Sequence, residues 1–305
     1  MSEKYLFHID EEEGERIDVF LSLNMKEKSR NAIQKLMAGG MVTVNGKIVK
    51  PSYKLSLDDE VALFLPEPIE LNIEAENIPL DIVYEDGDII IINKPQGMVV
   101  HPAPGHYTGT VVNALMYHCR NGLSGINGEL RPGIVHRIDK DTSGIIVAAK
   151  NDISHQKLSG QFAEHSINRK YEAVTFNTIK EESIKIDAPI GRNPLNRKKM
   201  CVTDKNSKRA VTYITVLESF GKFTHVEARL ETGRTHQIRV HLSYMGYPIL
   251  GDLVYGYKKQ PFKLNGQALH AGLLGFIHPA TGEYMEFSSP TPDYFKDILR
   301  ILRMQ

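Results

Sequence analysis

The chain has 305 residues, of which 41% are hydrophobic and 24% charged, a composition typical of a globular protein with one large domain and one smaller domain. It contains no run of about eighteen apolar residues and no apolar core behind Met1, so we expect neither a membrane protein nor a secreted one and predict a cytoplasmic location. Its 37 basic and 37 acidic residues balance, which argues against a protein that coats nucleic acid indiscriminately.

The cysteines and histidines give no sign of a metal site. Cys119 and Cys201 lie far apart in no ligand-like spacing, so neither a disulfide scaffold nor a zinc site is predicted. Three histidines, His101, His106 and His118, fall close together, but no carboxylate or cysteine accompanies them at a ligand-like interval. We therefore predict no metal.

The first 65 residues show the pattern of a small α+β unit. Residues 16–21 begin a short amphipathic helix, and residues 29–37 form a second one with Ser29 as its N-cap. Residues 42–49 alternate around an Asn-Gly pair, which is the strongest local signal for a β-hairpin. A compact unit over residues 1–65 is therefore predicted.

In this order the elements resemble the S4-type RNA-binding domain, in which two helices present basic side chains to RNA. Such contacts to phosphate position a protein on RNA and give salt-dependent affinity with little reading of bases. The alternative is a small domain with scattered surface charge. The residues that the resemblance assigns to RNA are Arg16, Arg30, Lys35 and Lys50.

A linker is predicted at residues 66–79, because two prolines and two acids at residues 66–70 suit a stiff, solvated connector. The larger domain follows over residues 80–305. Its continuous apolar run at residues 89–92 indicates a strand buried on both faces, and residues 110–118 read as a short helix.

The densest cluster of chemistry-bearing residues lies at residues 133–144, between two glycines. A polar turn explains residues 141–144, but it does not explain His-Arg-Ile-Asp at residues 136–139. Strand alternation would put Arg137 and Asp139 on one face, opposite Ile138. A functional carboxylate at Asp139 is the alternative to an ordinary turn.

After this cluster, residues 154–162 predict a helix and residues 168–174 a strand that carries Tyr171. Residues 187–200 form a proline-rich and basic loop with little apolar surface, so RNA phosphate is a sensible partner and a merely solvated loop the alternative. The cations assigned to this contact are Arg192, Arg197, Lys198 and Lys199.

A second motif, Gly-Arg-Thr-His-Gln-Ile-Arg-Val-His, occupies residues 233–241. Ile238, Leu242 and Met245 recur at helical spacing, which places Arg234 at a helix start. Helix N-termini favour anions, so a cation there calls for a carboxylate partner, and Asp139 is the candidate. Late strands at residues 268–276 and 284–287 precede a terminal helix with one apolar stripe.

Both motifs, His-Arg-Ile-Asp-Lys-Asp-Thr-Ser-Gly and the later one, resemble the pseudouridine synthase family that modifies large-subunit ribosomal RNA, and most closely its D-type branch. Ile138 replaces the usual leucine. The resemblance covers nearly the whole chain and implies an α+β catalytic domain with a mixed, largely antiparallel sheet. It implies conversion of uridine to pseudouridine in large-subunit RNA or a ribosome precursor, without cofactor, by a monomer.

The resemblance also assigns roles to single residues. Asp139 is the catalytic carboxylate, as nucleophile or as base, and Arg234 pairs with it. Tyr171 stacks on a base that has left the RNA stack, and Arg137 fills the vacated place. Lys94 lies near the cleft, where it either contacts phosphate or caps a strand.

Two other functions compete with this one. The residues Asp139-Lys140-Asp141-Thr142 resemble the Asp-x-Asp-x-Thr motif of aspartyl-phosphate phosphatases, although the threonine comes one residue early. The second alternative is a non-catalytic RNA-binding factor in ribosome assembly, built on the S4-type unit. Magnesium-dependent phosphoester hydrolysis would favour the first, and RNA binding without product would favour the second.

Overall fold

The computed structural model describes residues 3–11, 13–25, 30–65, 73–103, 105–120, 122–126 and 131–305. The chain forms two compact units, residues 1–70 and 71–305. The predicted N-cap at Ser29 and the first half of the predicted linker, residues 66–72, lie outside the described residues. Within the described ranges, no helix combines the length and the apolar character needed to cross a bilayer.

The first unit is a four-stranded antiparallel sheet covered by two helices. Its sheet order is β1-β4-β2-β3, and its helices bury Ile17, Leu21 and Ile33 against Val61 and Leu63. The elements are β1 (Glu3–His8), α1 (Ile17–Asn24), α2 (Arg30–Ala38), β2 (Val42–Val44), β3 (Lys47–Ile48) and β4 (Glu60–Leu65). The predicted Asn-Gly hairpin is confirmed: Asn45 and Gly46 both have positive φ, as a type I′ turn requires.

A buried carboxylate joins the two helices of this unit. The Asp18 side chain is 0% exposed and accepts hydrogen bonds from Arg16 Nε at 3.0 Å, Arg30 Nε at 3.0 Å and Gln34 Nε2 at 2.6 Å. Burial alone would raise the pKa of Asp18, but these hydrogen bonds hold it well below its usual value. Arg30 and Gln34 of α2 therefore hold this helix to Asp18 of α1, and about half of the Arg16 and Arg30 side chains stays exposed.

The second unit is built on a nine-stranded sheet of order β5-β6-β7-β15-β8-β14-β13-β9, with β16 on β15. Among the pairs described, only β7 and β15 run parallel, so the predicted mixed, largely antiparallel sheet is confirmed. A small sheet of order β11-β10-β12 stands apart from it. The elements are β5 (Ile82–Glu85), β6 (Ile89–Lys94), α3 (Val111–Cys119), β7 (Ser143–Ala149), α4 (Asp152–Ala163), β8 (Asn168–Phe176), β9 (Ser183–Asp187), β10 (Ile190–Arg192), β11 (Met200–Val202), β12 (Ser207–Lys208), β13 (Val211–Ser219), β14 (Phe223–Leu230), α5 (Gln237–Tyr244), β15 (Leu269–Ile277), β16 (Tyr284–Ser288) and α6 (Asp293–Arg303).

Strand β6 is buried on both faces, as its apolar run predicted. Ile90 and Ile92 belong to the core that includes α3, while Ile89 and Ile91 belong to the core that includes Leu158 of α4. This follows from the two-residue period of a strand, which sends alternate side chains to opposite faces. The sheet thus has a helix on each side near the end of β6, where the functional loops begin.

Two local predictions are wrong and one is incomplete. Residues 135–139 form no strand; between Gly133 and β7, Ile134 makes an isolated β-bridge to Ala148. The basic segment at residues 187–200 does contain a loop, residues 193–199, but this loop joins β10 to β11 in a hairpin. Helix α5 begins at Gln237, three residues after Arg234, because the Gln237 side chain accepts the Arg234 backbone N–H at 2.9 Å and holds the preceding turn.

Candidate active site

The loop that carries Asp139 is pinned where it enters β7. Gly144 has a φ of +119°, and a Cβ atom there would overlap the backbone of Ala271 in β15. Only glycine fits both the dihedral angle and the close approach of the two strands. The loop is closed on its other side by a hydrogen bond from the Thr142 N–H to the Asp139 carbonyl oxygen at 3.1 Å.

Lys94 supports this loop from below and is not available to RNA, contrary to its predicted phosphate contact. Its side chain is 0% exposed, and Nζ donates to the carbonyl oxygens of Pro95 at 2.8 Å, Met98 at 2.8 Å and Lys140 at 2.9 Å. Burial lowers the pKa of Lys94 to about 7, against the charges of Asp141 and Asp139. Its position at the end of a fully buried strand explains the error, because the loops on either side close over its ammonium group.

The partner of Asp139 is Arg239, not Arg234. Arg239 Nη1 donates to Asp139 Oδ2 at 2.8 Å, while its Nε and Nη2 donate to the two oxygens of Asp252 at 2.7 and 3.0 Å. Arg234 instead donates through Nε to the Arg209 carbonyl oxygen at 3.0 Å. The reason is the later helix start, which leaves Arg234 on the loop and puts Arg239 in the buried helix α5.

The Arg239 guanidinium therefore bridges two carboxylates that are largely shielded from solvent. The side chains of Arg239, Asp252 and Asp139 are 7%, 1% and 18% exposed. Burial would lower the pKa of Arg239, but its hydrogen bonds to Asp252 and the charges of both carboxylates raise that pKa above its ordinary value. Asp252 responds oppositely: burial would raise its pKa, and the pairing with Arg239 lowers it. The bridge fixes the direction of the Asp139 carboxylate.

His236 and Tyr255 complete this side of the site. The His236 Nδ1 and the Tyr255 hydroxyl are 2.7 Å apart, and His236 Nε2 lies 3.7 Å from Asp139 Oδ1, too far for a hydrogen bond. Burial lowers the pKa of His236 despite the nearby charge of Asp139. The neutral imidazole ring of His236 therefore lies beside the Asp139 carboxylate.

A cleft of about 570 Å³ opens over Asp139, within the range of about 300–1,000 Å³ usual for ligand sites. A smaller hollow of about 60 Å³ adjoins Asp139 and Arg239. Both are lined by Tyr171 and Leu230. Burial raises the pKa of Tyr171, partly offset by Arg169, so its hydroxyl stays protonated beside the carboxylate.

Arg137 lies at the mouth of this cleft. It lines both hollows, is exposed, and its Nη1 lies 3.2 Å from His101 Nε2. Burial lowers the pKa of His101 to about 4, helped by the charges of Arg137 and Arg131, so the neutral ring accepts the hydrogen bond. The structure thus brings together Asp139, Tyr171, Arg137 and Arg234, and separates Lys94 from the cleft.

The other predicted RNA contacts lie away from the two hollows. Lys35 and Lys50 are exposed in the first unit, and Arg192, Arg197 and Lys198 are exposed in the β10–β11 hairpin. Lys199 donates to the Val254 carbonyl oxygen at 2.5 Å, and its ammonium lies 5.9 Å from the Tyr255 ring. Their contact with RNA stays a prediction.

Sequence reasoning missed Arg239, Asp252, His236 and Tyr255. A signal existed for Arg239, which is the second arginine of the motif at residues 233–241. Asp252 and Tyr255 lie in a segment of loops with no helical or strand pattern, so nothing local distinguished them from structural residues.

Comparison with known proteins identifies the family of this chain. A family model described as RNA pseudouridylate synthase matches residues 88–244, more than half of the chain. The chain belongs to the pseudouridine synthase family. An S4 domain model matches residues 15–61, within the first unit.

Relatives extend the likeness over almost the full length. The chain is 53% identical to "Uncharacterized RNA pseudouridine synthase YlyB" of Bacillus subtilis, with 96% of each chain covered. It is 44% identical to "Ribosomal large subunit pseudouridine synthase D" of Zymomonas mobilis, covering 95% of this chain and 94% of that one. The protein of the same name from Pseudomonas aeruginosa is 42% identical over 95% and 92%.

Two solved structures share the fold. Human RNA Pseudouridylate Synthase Domain Containing 1 superposes with a TM-score of 0.57 at 26% identity, covering 79% of this chain and 98% of that one. Human RNA Pseudouridylate Synthase Domain Containing 4 gives 0.57 at 27% identity, covering 73% and 92%. The predicted family, α+β fold and enzyme class are confirmed: this pseudouridine synthase is an isomerase that acts on RNA and carries an S4 domain.

Proposed function

We propose that this enzyme isomerises uridines of large-subunit ribosomal RNA to pseudouridine, with Asp139 as its catalytic carboxylate and the cleft above it as the pocket for one everted uridine. The RNA assignment is supported by the names of the Zymomonas and Pseudomonas relatives, of whose length the chain covers 94% and 92%. Free ribosomal RNA or a ribosome precursor in the cytoplasm is the substrate, and the enzyme acts as a monomer.

The observation that carries the proposal is the buried guanidinium of Arg239 beside Asp139. Arg239 is held by Asp252 on one side and directs the Asp139 carboxylate on the other, toward a cleft of ligand size. Bidentate pairing of the kind between Arg239 and Asp252 fixes geometry as well as charge. A carboxylate so positioned is suited to attack or deprotonate a sugar that enters the cleft.

The reaction conserves atoms. The bond between ribose C1′ and uracil N1 breaks, the uracil turns, and its C5 forms the new bond to C1′. C5 then loses its hydrogen as a proton, and N1 gains one. Asp139 acts either as nucleophile at C1′ or as the base that takes a ribose proton, and both routes need a fixed carboxylate in a place that excludes water.

The cleft walls suit a base removed from the RNA stack. Tyr171 offers an aromatic face and a protonated hydroxyl, and Leu230 and Ile138 supply apolar contact beside it. Arg137, exposed at the mouth, is placed to enter the gap that the uridine leaves. Arg234 contributes charge to the same wall instead of pairing with Asp139.

The S4 domain and the basic hairpin supply the remaining RNA affinity in this proposal. Exposed cations that contact phosphates give binding that weakens steeply with salt. The domains of the proposal are residues 1–65 for RNA binding, a linker at residues 66–79 and residues 80–305 for catalysis. The phosphate contacts assigned are Arg16, Arg30, Lys35, Lys50, Arg192, Arg197, Lys198 and Lys199.

The test compares Asp139→Asn with Asp141→Asn. Large-subunit RNA labelled with tritium at uridine C5 is incubated with each variant, and tritium release and pseudouridine content are measured. Asp139→Asn is expected to bind RNA and release no tritium, and Asp141→Asn, which lies outside both hollows, to retain activity. Wild-type release by Asp139→Asn would overturn the assignment, whereas magnesium-dependent phosphoester hydrolysis lost in both variants would identify a phosphatase.

A further inference from the structure

Arg169 is a buried cation in the wall of the cleft. It lies on β8 two residues before Tyr171, so both side chains share one face of the strand. Its side chain is 7% exposed, its guanidinium carbon lies 5.7 Å from the centre of the Phe162 ring, and it lines the cleft with Asp139. Among the described residues, Nε and Nη2 of Arg169 have no hydrogen-bond partner. Buried charged donors in this state are costly unless something else satisfies them.

Gly233 makes room for this guanidinium. A Cβ atom at position 233 would lie 2.5 Å from Arg169 Nη1, closer than real Cβ contacts. The φ angle of Gly233 is not positive, so other residue types can adopt its backbone conformation as well. The glycine in the motif at residues 233–241 therefore leaves the space that the Arg169 guanidinium occupies, and a side chain there would push the guanidinium aside.

No counterion faces this group within the described part of the chain. Burial is the main cause that lowers the pKa of Arg169; Tyr171 raises it, and the cation of Arg234 lowers it further. Glu231 is paired with Arg209 Nη1 at 2.7 Å, and Asp139 with Arg239. His165, also in the cleft wall, has a buried Nδ1 without a partner, and burial together with the charges of Arg234 and Arg169 lowers its pKa.

We propose that Arg169, Arg234 and the space left by Gly233 form an anion subsite that binds the RNA phosphodiester next to the everted uridine. The inference rests on the proposed function and names the group that anchors the substrate there. Because Arg169 and Tyr171 project from one strand, a phosphate held at Arg169 places the attached nucleoside against the Tyr171 ring and above Asp139. Arg169 is thus a positioning residue whose charge is balanced only when RNA is bound.

The test replaces one charged linkage of the RNA at a time. A stem-loop of large-subunit RNA that the wild-type enzyme modifies is prepared with a neutral methylphosphonate at each linkage around the target uridine. Dissociation constants are measured by fluorescence anisotropy and single-turnover rates by tritium release. Wild type is expected to lose about tenfold or more in affinity at one linkage adjacent to the target, as loss of a charge-assisted contact implies.

Arg169→Met is expected to bind the unmodified RNA about tenfold more weakly and to be indifferent to that methylphosphonate. Arg229→Met is the matched control, because Arg229 is an exposed arginine of neighbouring β14, outside the cleft, whose loss changes the net charge equally. Gly233→Ala, which displaces the guanidinium, should reproduce the effect of Arg169→Met and add nothing to it in the double variant. It keeps the test valid if Arg169→Met fails to fold.

The subsite is overturned if Arg169→Met and Gly233→Ala retain wild-type affinity and wild-type sensitivity to the same linkage. That result leaves the proposed function intact as long as the wild-type enzyme forms pseudouridine in the stem-loop. Conversely, if wild type binds large-subunit RNA and forms no pseudouridine anywhere in it, the proposed function fails, and the subsite, which is defined by the target uridine, fails with it.

Discussion

Replacement of Arg239 by lysine tests which of the two arginines in the motif at residues 233–241 pairs with Asp139. Arg239 spans two carboxylates with three nitrogens, at 2.8 Å from Asp139 and at 2.7 and 3.0 Å from Asp252. A lysine has one ammonium group on a different stem and cannot reproduce this planar bridge. The expected consequence is that the Asp139 carboxylate loses its fixed direction while the charge of the site is kept.

The magnitude follows from the contact that is lost. A hydrogen bond to a charged group contributes about 1.5–3 kcal/mol. If the contact with Asp139 supports the transition state, its loss slows the chemical step by about 10- to 150-fold, since about 1.4 kcal/mol corresponds to a factor of ten. Loss of one of the two bonds to Asp252 lowers the free energy of unfolding by a similar amount of about 1.5–3 kcal/mol.

The assay is a single turnover with enzyme in excess over C5-tritiated RNA, with denaturant unfolding of the same preparations. Arg234→Lys is the comparison. Because the Arg234 side chain donates to the Arg209 carbonyl oxygen and not to Asp139, its replacement should leave the saturated rate within about threefold and mainly weaken RNA binding. A wild-type rate for Arg239→Lys together with a large loss for Arg234→Lys would refute the pairing described above.

Two further predictions concern the S4 domain. The folded state depresses the pKa of Asp18, so this carboxylate contributes to the free energy of unfolding above about pH 4, its ordinary pKa, and the contribution is lost as pH falls. In Asp18→Asn the free energy of unfolding should therefore depend less on pH. Chemical denaturation from pH 7 to pH 3 tests this, and equal slopes for variant and wild type would contradict it. The double variant with Lys35→Gln and Lys50→Gln, both exposed, should lower the slope of log affinity against log salt by about 1–2 without changing the saturated rate; an unchanged slope would remove these two lysines from the RNA contact.

The fold followed from the sequence wherever a local signal decided it. The apolar run of β6, the Asn-Gly hairpin and the stripe of Phe295, Ile298 and Leu299 on α6 all appear as predicted, because each is set by residues within one element. The strand predicted before β7 failed for the opposite reason. Arg137, Ile138 and Asp139 alternate like a strand, but the loop that contains them is held by Lys94, whose ammonium reaches the Lys140 carbonyl oxygen from 46 positions away.

The sequence motifs located the site, but they did not show which arginine pairs with Asp139. Arg234 and Arg239 both belong to one motif, and the choice between them depends on where α5 begins, which the side chain of Gln237 decides. Asp252 could not be found, because its place in the site depends on a tertiary contact with Arg239. The phosphate contact predicted for Lys94 was wrong because a lysine at the end of a strand is usually solvated, whereas here backbone carbonyl oxygens enclose its ammonium group.

The close approach of Gly144 to Ala271 has a consequence for synthesis of the protein on the ribosome. Strand β7 meets β15 as a parallel neighbour through His270 and Ala271, which are made more than a hundred residues after the loop with Asp139. Until β15 has emerged and docked, the loop has no wall to close against, and Arg239 and Asp252 must also have been added. A nascent chain that lacks residues 252–271 therefore cannot form the Arg239–Asp252 pair or close the loop of Asp139 against β15.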